Sequence, residues 1–135
     1  MKLCLIAVAL LAASAAEISI VEPAQVAAEL AAKSSRPVVL MVGFDVLYRS
    51  KHIPGSIYAG PAARPDGIEM LKKAVEKLPR NREIVLYCGC CPWDHCPNVH
   101  PAFALLQQMG FTRVKVMHVP TNFKVDWIDH GYPVE

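Results

Sequence analysis

"REIVLYCGCCPWDHCPN", residues 82–98, sets a short apolar run against a cluster of cysteines. Ile84 to Tyr87 is continuous and apolar, the pattern of a strand buried on both faces in a parallel sheet. Cys88, Cys90, Cys91 and Cys96 follow within nine positions, together with Pro92, Trp93, Asp94 and His95. "NVHPAFALLQQMG" (98–110) then reads as a helix, with Asn98 as its cap, Pro101 in the first turn and Gly110 at the end. Cys88 therefore stands where a buried strand ends and the chain turns toward a helix. Open α/β sheets bind ligands at the carboxyl ends of their strands. A helix N-terminus and loop amides create positive potential there, which favours a thiolate. Cys88 is the candidate nucleophile.

The remaining segments fit the same class. "EISIVEP" begins with alternating Ile18 and Ile20, a strand pattern, and Pro23 suits the first turn of a helix running through Val26 and Leu30. Val38 to Val42, between Pro37 and Gly43, is a second buried run, and Ser56 to Tyr58 a short strand after a Pro-Gly turn. Asp66 is a candidate cap for a helix carrying Ile68, Leu71, Val75 and Leu78. "FTRVKVMHV" alternates as a strand, and the last residues offer a short helix and a tail. Strands alternating with helices mean α/β with a mainly parallel sheet.

The first fifteen residues have another character. Lys2, the apolar run Leu3 to Ala13, and Ala13-Ser14-Ala15 are the parts of a secretory signal, cleaved after Ala15. The run is shorter than the roughly twenty residues that span a bilayer. Cys4 leaves with it. Residues 16–135 then form a single domain of 120 residues, periplasmic or secreted, with a formal charge reduced from +2 to +1. This charge balance and the lack of a basic cluster exclude a nucleic-acid partner and, after cleavage, a membrane surface. A monomer is expected. In an oxidising compartment the four loop cysteines are candidates for a staple or for redox work.

Several segments resemble a rhodanese domain: "HIPGSIY" (52–58), "EIVLYC" (83–88), "LLQQMGFTRVKVM" (105–117) and "WIDHGYPVE" (127–135). The similarity runs from about Ile18 to the end of the chain. It implies a mainly parallel five-stranded sheet flanked by helices on both faces. It also implies a sulfurtransferase in which Cys88 accepts a sulfane sulfur as a persulfide and passes it to a thiol or cyanide, with no cofactor. The substrate would be a small sulfur compound. The sequence departs from the family pattern in three places. Met41-Val42-Gly43 stands where the family usually has an acidic residue, and the active-site loop is longer than usual. The first Lys or Arg after Cys88 is Arg113, so the loop lacks the cation that holds an anionic donor such as thiosulfate. Loop amides can stabilise a persulfide without it.

Around Cys88, the residues Gly89, Cys90, Cys91, Pro92, Trp93, Asp94 and His95 form the candidate substrate loop. Trp93 either shields the sulfur or anchors the loop. His95 and His100 can supply positive charge on protonation, and Asp94 can fix the loop by an Asx turn. His52 has the simpler expectation of a hydrogen bond across the sheet edge. Cys90, Cys91 and Cys96 are redox candidates. A disulfide from Cys90 or Cys91 to Cys96 would staple an otherwise unstructured loop, contributing about 2 kcal/mol, whereas adjacent Cys90 and Cys91 would pair only under strain. The cysteine left over could then resolve a Cys88 persulfide.

Three other readings remain. Cys88-Gly89-Cys90-Cys91 is also a C-x-x-C at a strand-to-helix junction, suited to thiol–disulfide exchange, with Val119-Pro120-Thr121 as the facing proline segment. Zinc or copper(I) suits the thiolates, although C-x-C-C-x4-C is not a usual structural zinc spacing, and no metal ligand is assigned. A non-catalytic interaction domain would typically lack the cysteine. Phosphatase chemistry is excluded, because no Arg follows Cys88 closely.

Overall fold

The two continuous apolar runs lie side by side in the middle of one parallel sheet. The structure, a computed structural model, describes residues 17–135; the secretory-signal reading of residues 1–15 lies outside them. The strands are β1 (Ile20–Val21), β2 (Val38–Met41), β3 (Ile57–Tyr58), β4 (Ile84–Tyr87) and β5 (Val114–Met117). Their order is β1-β5-β4-β2-β3, with every pairing parallel. β4 is paired on both edges, Val39 beside Val85 on one side and Val85 beside Lys115 on the other. It is covered on both faces, and each of its four residues is buried.

Alternation along the strands divides the core into two layers. Leu40, Val42, Ile84, Leu86, Val114 and Val116 pack with helices α3 (Pro65–Val75) and α4 (Val99–Gln108). Val39, Met41, Val85, Tyr87 and Met117 face the other way, onto α1 (Pro23–Ala31), α2 (Asp45–Ser50) and a wide π-type turn over Lys124–Ile128. Trp127 in that turn is fully buried, and its Nε1–H donates to the Pro133 carbonyl at 2.8 Å. The sequence-based fold class, a five-stranded parallel α/β sheet with helices on both faces, is the one observed.

Three local expectations are corrected, and one element was missed. In β1, Val21 is buried and Ile20 is exposed, so the anchoring residue lies one position beyond the alternating isoleucines. Asp66 does not cap α3: the helix starts at Pro65, and the Asp66 carboxylate pairs with Arg64 at 3.1 Å. Helix α2 was not legible, because six residues make less than two turns and show no period. The cysteine loop is not without structure, since Trp93–His95 form a 3₁₀ turn.

Gly67 in α3 shows packing overriding helix propensity. A Cβ at this position would overlap the backbone carbonyl of Pro61, in the segment that follows β3. Replacing glycine by alanine in an open helix interior gains about 1 kcal/mol, but overlap with fixed backbone typically costs about 1–3 kcal/mol. Gly67→Ala is therefore expected to lower the melting temperature. A rise would show that this close approach relaxes freely.

Candidate active site

Alternation places Ile84, Leu86 and Cys88 on one face, so the first residue past β4 points its sulfur into the layer shared with α3 and α4. Cys88 is buried. Two features allow the sulfur to sit there. Gly43, just past β2, has no side chain: a Cβ would lie 2.7 Å from the Cys88 carbonyl oxygen and 2.8 Å from its Sγ. Gly89 adopts φ 105°, a left-handed conformation that turns the chain sharply away from the strand. The Gly89 carbonyl then accepts a hydrogen bond from the Phe123 amide at 3.1 Å.

The loop brings the other sulfurs back. Cys90 Sγ lies 3.5 Å from Cys88 Sγ and 3.2 Å from Cys91 Sγ. The Cys88, Cys91 and Cys96 sulfurs all lie within 4.8 Å of one another. Cys96 is buried, Cys91 half-buried and Cys90 exposed, and all four are free thiols. Asn98, read from sequence as a helix cap, makes no side-chain cap hydrogen bond. It is buried, its Oδ1 accepts the Ala63 amide at 2.9 Å, and its Nδ2 donates toward Cys88 Sγ at 3.5 Å. Sequence reading missed this role.

Charge in the cluster is distributed differently from the sequence expectation. The amides of Asn98 and Val99, at the start of α4, are directed at Cys96 rather than at Cys88. Hydrogen bonding from the Cys88 thiol, with those amides, holds the Cys96 pKa down to about 6 against the opposing effect of burial. The Cys88 thiol is pushed up by the same pair interaction and then by burial. Burial first, and then the Cys90 contact, pushes the Cys91 thiol up to about 12. The pair interaction and the amides therefore favour the thiolate form at Cys96 and the thiol form at Cys88. The long loop returns to α4 through Cys96, so the helix amides act on Cys96, while Cys88 receives the Cys90 amide and the Asn98 side chain.

Other sequence candidates fall farther from the sulfur. Trp93 anchors the loop: its amide donates to the Val119 carbonyl at 2.9 Å, and its ring lies between His100 and His118. The Val119 segment thus faces the loop through Trp93. His95 is exposed and paired with Asp94 at 3.0 Å, while His100 Nε2 lies 3.1 Å from the Asp94 carbonyl oxygen. His52 is structural. Its Nδ1–H donates to the Tyr48 carbonyl at 2.7 Å, its ring stacks on Tyr48, and its backbone pairs with Glu135.

A cavity of about 520 Å³ opens beside the loop, lined by Met41, Tyr87, Cys90 and Phe123, with Lys51 and Lys124 at its edge. Both lysines were missed, because they reach the site from α2's far end and from the π-type turn rather than from the loop. A second cavity, about 460 Å³, lies near Arg36 and Pro37 before β2, at the opposite end of the sheet from the cysteines.

Residues 23–118 match the model of the rhodanese-like domain. The chain belongs to the rhodanese-like family. Solved structures agree on the fold. BH2092 protein from Bacillus halodurans superposes with a TM-score of 0.67 at 22% identity, covering 87% of this chain and 76% of that one. Thiosulfate sulfurtransferase from Pseudomonas aeruginosa gives 0.63 at 24% identity, over 88% of this chain but 19% of that one. The single-domain sulfurtransferase RDL2 of Saccharomyces cerevisiae gives 0.63 at 15% identity, over 86% and 93%. No curated protein matches the sequence. At these identities the likeness is one of fold. Sulfur transfer is supported at the level of the family.

The charge distribution has a direct readout. In reduced protein, ultraviolet thiolate absorbance should rise by one thiolate per chain as the pH passes about 6. Cys96→Ser should lose that step. Cys88→Ala should move it to higher pH, because the donor that stabilises the Cys96 thiolate is gone. A first thiolate appearing only near the ordinary value of 9.0 would contradict the assignment.

Proposed function

We propose that this rhodanese-like domain moves a sulfane sulfur through a persulfide on Cys88 to a small thiol or cyanide-like acceptor. The observation that carries this reading is the position of Cys88 itself: a buried sulfur at the carboxyl end of the doubly paired strand β4, with an amide donor from Asn98 and a neighbouring Cys96 whose thiol is shifted toward the thiolate.

The chemistry balances without an added oxidant. The Cys88 thiol passes its proton to the Cys96 thiolate as its sulfur attacks the outer sulfur of a donor persulfide. The donor S–S bond breaks and the donor thiolate leaves with the electron pair. An acceptor thiolate or cyanide then attacks the outer sulfur of the Cys88 persulfide, and Cys88 leaves as the thiolate. A persulfide or polysulfide donor fits this loop better than thiosulfate, since no Lys or Arg stands between Cys88 and Arg113.

Thiol–disulfide exchange is the second reading, favoured by one observation, the 3.5 Å separation of the Cys88 and Cys90 sulfurs. A Cys90 thiolate attacking the inner sulfur of the persulfide would expel hydrosulfide and leave a Cys88–Cys90 disulfide. In the absence of sulfur, Cys91 and Cys96, whose sulfurs lie within 4.8 Å of each other, are the proposed pair for a loop staple. Export, if residues 1–15 act as a signal, would expose these thiols to oxidation.

Cys88→Ser should abolish sulfur transfer to cyanide, while Cys96→Ser, which removes the proton acceptor but not the nucleophile, should leave a reduced and measurable rate. A wild-type rate in Cys88→Ser would overturn the reading. With the wild-type protein, kcat/KM for a small persulfide should exceed that for thiosulfate by at least about tenfold, the equivalent of ~1.4 kcal/mol in transition-state binding. Efficient turnover of thiosulfate would show that Lys51 or Lys124 supplies the cation the loop lacks.

A further inference from the structure

Three sulfurs at the closed end of the loop make an arrangement that sulfur transfer does not require. The Cys88, Cys91 and Cys96 Sγ atoms lie within 4.8 Å of one another. A metal–thiolate bond of about 2.3 Å gives a trigonal three-sulfur site with S···S edges of about 4 Å, so the triangle can close with small side-chain shifts. We propose that Cys88, Cys91 and Cys96 bind one copper(I) ion as a trigonal three-thiolate site.

The surrounding groups select this ion. Thiolates favour soft cations such as copper(I). Zinc would need a fourth ligand: the loop's nitrogen donors are engaged elsewhere, His95 with Asp94 and His100 with the Asp94 carbonyl, and Cys90, the loop's fourth sulfur, lies exposed outside the three-sulfur group. Cys90 stands beside the triangle, exposed to solvent, its sulfur 3.2 Å from that of Cys91. Two of the three ligand sulfurs are buried, which suits an ion that must be kept from water and oxygen. Outer contacts are in place as well. Asn98 Nδ2 donates toward Cys88 Sγ, and the Asn98 and Val99 amides at the start of α4 are directed at Cys96.

On binding, each sulfur that is still protonated passes its proton to solvent, and all three sulfurs form S–Cu bonds as thiolates. Copper stays monovalent and no thiol is oxidised. Binding itself does not depend on the sulfurtransferase reading. One consequence does: a Cys88 that holds copper cannot attack a persulfide, so the two uses of the loop exclude each other.

The test uses the full chain, reduced and stripped of metal under inert gas, titrated with copper(I) against a coloured cuprous chelator. One ion per chain should be retained. Cys91→Ser and Cys96→Ser should each weaken retention by more than about tenfold, and Cys90→Ser should leave it within about twofold. Circular dichroism of each variant establishes that it is folded, and because Cys91 is only half-buried its variant remains informative if Cys96→Ser unfolds. No retention by the wild type, retention unaffected by the folded variants, or a loss in Cys90→Ser as large as in Cys91→Ser would overturn the three-thiolate site. Sulfur loading of the same stripped protein is measured separately. Copper binding without sulfur loading counts against the proposed function alone, and sulfur loading without copper binding counts against the metal site alone.

Discussion

The parallel pairing of β4 with β2 on one edge and β5 on the other fixes everything that follows in this molecule. A strand hydrogen-bonded on both edges and covered on both faces cannot slip, because a one-residue shift would turn Leu86 and Tyr87 into each other's layers. Its exit point is therefore fixed, and so is the direction of the next side chain. Cys88 gains a rigid platform from residues that have no chemistry of their own. The crossover segments reinforce this. Gly43 at the end of β2 yields the space that the Cys88 sulfur and carbonyl occupy, which gives a physical reason for a glycine where the family pattern would place a larger group.

From that platform the loop controls charge rather than position. A short loop would let the amides opening α4 point at the cysteine that ends the strand. Here the chain goes out through Cys90 and Cys91, makes a 3₁₀ turn held to Val119 by Trp93, and returns through Cys96. The helix amides meet Cys96 first. Two adjacent sulfurs then have opposed tendencies, Cys96 shifted toward the thiolate and Cys88 toward the thiol, which puts a candidate proton acceptor beside the candidate nucleophile. Asn98 ties this arrangement to the Ala63 segment through the other end of its side chain, joining the loop to the strand-to-helix turn before α3.

The parts of this account that were legible in the sequence are those governed by repeating patterns. Val38 to Val42 and Ile84 to Tyr87 read as buried parallel strands because burial on both faces demands unbroken apolar residues. Helices α3 and α4 read from their spacing, and Cys88 from its place at a strand end. The parts that failed depend on contacts between distant segments. Asn98 looked like a cap because its position at a helix start is local information, whereas its partners, Ala63 and Cys88, are not neighbours in sequence. Lys51 and Lys124 were invisible as site residues for the same reason: a search along the loop cannot find cations delivered by α2 and the C-terminal turn. Helix α2 was too short to have a period.

The central claim is that sulfur enters this loop at Cys88 and nowhere else. Exposing reduced, metal-free protein to a small persulfide donor, followed by trapping and peptide mass analysis, tests it most directly. The account predicts one added sulfur atom on Cys88, with Cys90, Cys91 and Cys96 recovered as unmodified thiols. Sulfur found on Cys90 or Cys91, with Cys88 recovered unmodified, would contradict it.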